Sequence, residues 1–188
     1  MRSTRVAVIA AFSLIAPAAA ASQTVDLVFR GADVYTGVIF PTRSERGAAF
    51  GGTLWLGTAF DTHALWGLGL QYGSADRTDG PVAVRNVIIS IDLTFLLARG
   101  RLYPYVGVTG GLISAEATDL SSGSDPRASF LVQDIDGYKL GGGGFGGLVL
   151  GLTETQSVGL LLEYRYVGVP DVSHQSVRAG IRFSVGGG

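Results

Sequence analysis

From residue 27 onward the chain alternates apolar with polar or small positions at a period of two, the mark of strands with two unlike faces. The last two segments show it most plainly. Val158, Leu160, Leu162, Tyr164 and Tyr166 share one face, opposite Gly159, Leu161, Glu163 and Arg165. Val177, Ala179, Ile181 and Phe183 then oppose Arg178, Gly180 and Arg182. Two neighbouring strands thus share one greasy face and one charged face.

Eight such segments run from Leu27 to Phe40, Ala48 to Phe60, Ala64 to Ala75, Val84 to Ala98, Leu102 to Ala117, Tyr138 to Leu152, Ser157 to Val167 and Ser176 to Val185. Each has about 10 to 16 residues, longer than ordinary globular strands and enough for the roughly 9–11 that a tilted strand needs to cross a bilayer. The connections alternate in length. DTH (Asp61 to His63), ARGR (Ala98 to Arg101) and TETQ (Thr153 to Gln156) are tight, whereas TRSERG, Asp76 to Pro81, Asp119 to Asp136 and GVPDVSHQ are longer. Short turns at one end and long loops at the other are the pattern of outer-membrane barrels, and an even strand number puts both termini at the short-turn, periplasmic end.

Parity decides which face points where. Val87, Ile89, Ile91, Leu93, Phe95 and Leu97 oppose Ile88, Ser90, Asp92, Thr94 and Leu96, and Trp66, Leu68, Leu70 and Tyr72 oppose Gly67, Gly69, Gln71 and Gly73. A soluble barrel would turn the large residues inward and leave an outer skin of glycine. The inverse, with lipid outside and a narrow lumen of glycines and charges, is the arrangement expected here. Three places resist it. Arg30 and Asp33 have opposite parity in the first segment, and Trp55 and Phe145 fall on inward positions. A bulge, or an aromatic filling space beside lumen glycines, would account for each.

Composition sharpens this picture. Lys139 is the only lysine beside thirteen arginines, although lysine is a standard solubilising residue of water-exposed strands. Cysteine is absent, which removes disulfides, thiolate chemistry and a lipoprotein anchor. Arg2 and Arg5, the apolar stretch Val6 to Ile15 and the small residues Ala18 to Ala21 read as an export signal over residues 1–21, leaving 22–188 as one barrel domain. The apolar part is too short for a spanning helix. Losing Arg2 and Arg5 takes the formal charge from −1 to −3, with no footprint for nucleic acid.

Two stretches carry a family likeness. PYVGVTGG (Pro104 to Gly111) and the terminal run LLLEYRYVGVPDVSHQSVRAGIRFSV resemble the corresponding strands of small OmpA-like outer-membrane proteins. The resemblance implies an all-β, eight-stranded antiparallel up-and-down barrel, inserted by the barrel assembly machinery and without enzymatic activity in most members. The sequence departs from the family where SVGGG follows Phe183. No peptidoglycan-binding domain follows the barrel, so no wall-anchoring role is expected.

The inward charges Asp92, Glu163, Arg165, Arg178 and Arg182 are the candidate site. The hairpin of the last two strands sets Glu163 near Arg178, and in a low-dielectric lumen these groups must pair, either as a structural plug or as a gate for small ions. Trp66, Tyr72, Tyr103, Tyr105, Tyr164, Tyr166 and Phe183 are expected in aromatic girdles at the interfaces, with Arg99 and Arg101 beside them. His174 and Ser176 share a face and suggest hydrolase chemistry, but no carboxylate follows to orient the histidine. Asp119, Asp125, Asp134 and Asp136 could offer oxygen ligands, without the spacing of a calcium loop. The same loop holds an apolar SFLV run, Ser129 to Val132, that could contact a partner. Gly141 to Gly144 lack the helix and lysine of a phosphate cradle.

The expected function is a structural or surface-interaction role in the outer membrane, as a monomer among outer-membrane lipids and without cofactor, metal or catalysis. A narrow gated ion channel is the first alternative, and a lipid-modifying barrel enzyme the second.

Overall fold

A computed structural model of the chain describes residues 27–41, 45–59, 64–76, 82–98, 100–119, 137–169 and 173–185. The expected export signal, residues 1–21, lies outside them. Eight strands follow in order: β1 Gly31–Pro41, β2 Gly47–Ala59, β3 Ala64–Asp76, β4 Val82–Leu96, β5 Leu102–Asp119, β6 Gly137–Gly151, β7 Val158–Gly168 and β8 His174–Ser184. Each lies antiparallel to the next, and β1 pairs with β8 from Gly31↔Ser184 to Pro41↔His174, which closes the barrel.

The wall is inverted relative to a water-soluble protein. Outward positions are large and apolar, among them Val34, Phe50, Leu70, Ile91, Val108, Leu162 and Phe183, with Ile91 62% exposed. Inward positions hold Asp33, Gln71, Asp92, Glu163, Arg165, Arg178 and Arg182, all buried. Along its paired registers a closed antiparallel wall satisfies the backbone groups within the chain, so that part of its apolar surface can face hydrocarbon without an unpaired amide.

The first segment's conflict resolves without a bulge. β1 starts at Gly31 rather than Leu27, and its register to β2 and β8 runs unbroken. Arg30 precedes the strand, and Asp33 falls on the inward parity with Tyr35 and Ile39. The irregularity lies instead in β2, where the register to β3 shifts between Trp55 and Gly57. Trp55 and Phe145 both point inward and are buried. Phe145 occupies the space a β-carbon at Gly107 would need, and the Tyr105 phenol does the same at Gly147. Lumen glycines and lumen aromatics are therefore one packing solution, in which a missing side chain on one strand makes room for a ring from another.

The wall is uneven at the long-loop end. β6 pairs with β5 as far as Ala115↔Gly137, but with β7 only to Gly142↔Gly168. Residues 137–141 thus form a strand edge that no described strand covers, and β4 and β5 continue beside them to Val82↔Asp119.

Candidate functional site

The lumen charges form two connected clusters. In the first, Arg182 on β8 grips Asp33 on β1 in a two-point pair, Nε to Oδ1 and Nη2 to Oδ2, both 2.7 Å. Barrel closure sets these two residues directly opposite each other in register. The guanidinium carbon also lies 5.2 Å from the Trp55 ring centre and 5.1 Å from that of Tyr105, so two ring faces and a carboxylate replace its hydration.

The second cluster is larger. Arg165 on β7 donates to Asp92 on β4 through Nη1 at 3.0 Å and Nη2 at 2.7 Å, and its Nε donates to Glu163 at 2.9 Å. Thr109 adds a hydroxyl to Asp92 at 2.6 Å. Glu163 also accepts from Arg178 Nη1 at 3.3 Å and from the Tyr105 hydroxyl at 3.0 Å, the latter bond joining the two clusters. Arg178 further donates from Nε to Ser176 at 3.3 Å and from Nη2 to the side-chain oxygen of Gln71. Phe145 covers Arg165 at 4.2 Å and Tyr35 covers Arg178 at 4.5 Å. Three buried carboxylates thus meet three buried guanidiniums, as desolvation in a narrow lumen demands.

Toward the short-turn side the Arg182–Asp33 pair shares the lumen with apolar side chains. Tyr105, Phe145, Val149 and Leu161 form a buried cluster, with Leu96 and Tyr103 packed against it. On the loop side a small cavity lies above the second cluster, with Gln71, Arg165 and Arg178 among its floor residues and Ile88, Ile113 and Val167 in its walls. The arrangement is a plug with a sealed lower half and a small polar hollow above it.

All five sequence-predicted charges meet inside the barrel. Sequence reasoning missed Asp33, Gln71, Tyr35, Thr109 and Tyr105 as their partners. Asp33 was findable in principle, because closure of an eight-stranded wall puts the first strand beside the last and three inward arginines need a third carboxylate.

The expected girdle needs correcting. Tyr105 is 1% exposed and faces the lumen, where its hydroxyl serves Glu163. Tyr103 has the same parity and packs on the inner apolar cluster. Both flank Pro104 in a strand whose outward face is Leu102, Val106, Val108 and Leu112. Tyr164, Tyr166 and Phe183 are exposed on the outer face. Trp66 and Tyr72 sit on outward parity and are half-buried, Tyr72 leaning on Phe50 with ring centres 5.1 Å apart. Arg101 donates to the Gly151 carbonyl at 3.3 Å, and Arg99 lies outside the described residues.

His174 and Ser176 do share the inner face, both buried. The Ser176 oxygen accepts a bond from Arg178, a donor that cannot take a proton from it. The loop acids Asp125, Asp134 and Asp136 and the Ser129 to Val132 run lie outside the described residues, as does the Asp119 side chain. The Gly141 to Gly144 run lies in β6, where its glycines alternate between lumen and outer face.

No family model and no curated protein matches the chain. Solved structures do. Neisserial surface protein A aligns over 84% of this chain and 96% of its own, at a TM-score of 0.52 and 16% identity. The outer membrane protein OprG from Pseudomonas aeruginosa aligns over 86% and 99%, at 0.53 and 11%. At such identities the likeness is one of fold. The chain has the closed eight-stranded architecture of small outer-membrane barrels, the type its sequence resembles.

Proposed function

We propose that this protein is an outer-membrane barrel with a structural and surface-contact role, and not a transport pore. The filled lumen carries the proposal. A balanced set of buried ion pairs blocks the middle, and the apolar cluster of Tyr105, Phe145, Val149 and Leu161 stands across the short-turn side. An eight-stranded barrel has room for side chains and little else, and an apolar constriction expels water even where polar groups flank it.

In this reading the outer face meets outer-membrane lipids, and the barrel is inserted as a monomer by the barrel assembly machinery. Both termini lie in the periplasm, and the long loops are outside the cell. The uneven rim supports the surface role. Leu140 is 80% and Tyr138 77% exposed on the stretch of β6 that pairs with β5 but not with β7, apolar side chains that add contact surface there.

Planar-bilayer recordings of the refolded protein test the proposal. Closed, featureless traces are expected from the native chain and from Arg178→Ala, because the apolar cluster stays in place when Arg178 is removed. Steady openings from the native protein, lost on changing Glu163 or Arg178, would establish the gated-channel alternative instead.

A further inference from the structure

We infer that the loop-side cavity above the charge network is a binding site for one monatomic anion of the halide class, chloride under ordinary conditions. The cavity has room for a single water-sized guest. Its small size favours a monatomic guest, and the guanidiniums of Arg165 and Arg178 in its floor favour an anion over a cation.

The case rests on which hydrogen-bonding groups are already taken. Gln71 is 2% exposed, and its side-chain oxygen receives Arg178 Nη2. That bond fixes the amide, since the reverse orientation would set two donors against each other. Gln71 Nε2, with its two hydrogens, is then left buried with no partner among the described residues. Arg178 spends three of its N–H groups on Ser176, Glu163 and Gln71, and a guanidinium has five. The Tyr35 side chain also lines the cavity.

The carboxylates of the network, in contrast, are occupied. Asp92 takes Arg165 and Thr109, and Glu163 takes Arg165, Arg178 and Tyr105. A water could receive from Gln71 and donate to a hydroxyl of the lining, but it brings no negative charge to Arg178. A halide needs only donors. Arg178 is also the least neutralised cation of the network, its 3.3 Å contact to Glu163 being longer than the 2.7–2.9 Å of the other described ion pairs. An anion between Gln71 Nε2 and Arg178 would complete both groups and lock the loop side of the plug.

Crystals of the refolded protein soaked in sodium bromide, measured at the bromine absorption edge, give the direct test. An anomalous peak beside Gln71 Nε2, absent from Gln71→Leu, is expected; ordered density there without anomalous signal means water and overturns the inference. In detergent, the unfolding midpoint should rise by roughly 2–4 °C in chloride over gluconate at equal ionic strength. Equal midpoints in the two salts also overturn it. Should Gln71→Leu fail to fold, Tyr35→Phe keeps the ring over Arg178 and removes one donor, and should lower the bromide peak.

Discussion

Glu163 accepts from two guanidiniums and a phenol, and every one of those donors is buried. Glu163→Ala strands Arg178, whose described ion pair is to Glu163 alone, while Arg165 keeps Asp92, and the barrel should lose about 3–5 kcal/mol, the usual cost of breaking a buried pair. Urea unfolding of the refolded protein would show it as a lower midpoint, and an unchanged midpoint would sink the ion-pair account. Asp33→Ala should cost a similar amount by stranding Arg182. Adding Arg182→Ala to it should restore much of the loss, since removing both charges leaves neither one uncompensated. Arg182 was legible as an inward charge from parity alone. Its partner was not legible from parity, because the chain approaches β1 through Arg30 and local sequence cannot say which of two opposite-parity charges lies inside the strand; only closure of the wall points to Asp33.

Among the elements, the period of two located all eight strands and the inner and outer faces of most, leaving β1 open and β5 misread, since a one-residue slip would turn every side chain to the wrong environment. Periodicity does not reveal which inward residues touch. Tyr103 and Tyr105 read as interface aromatics by composition, yet they share parity with Gly107 and Thr109 and so face the lumen. The glycines of β5 and β6 offer a test of the packing. A β-carbon at Gly107 would run into the Phe145 ring, whereas at Gly144, on the outer face, it meets only the Gly107 carbonyl oxygen at 3.4 Å. Gly107→Ala should therefore displace Phe145 and destabilise by about 1–3 kcal/mol. Gly144→Ala should be neutral or slightly stabilising, as alanine restricts the unfolded chain. Comparison of the two unfolding midpoints checks this, and equal losses would mean that lumen packing around Phe145 is loose.

The whole barrel is inside out, with an apolar outer face and a charged, filled lumen, and the proposed membrane placement sets lipid against that outer face. The chain has no cysteine, so single cysteines can be introduced along β4 and spin-labelled without background. Power-saturation EPR of the protein in bilayers then measures collision with oxygen, which concentrates in lipid, against a water-soluble nickel complex. Positions Val87, Ile89 and Ile91 should show high oxygen and low nickel accessibility, while Ile88 and Ser90 between them should be shielded from both, a period of two along the strand. High nickel accessibility at Val87, Ile89 and Ile91 would put that face in water and contradict the account.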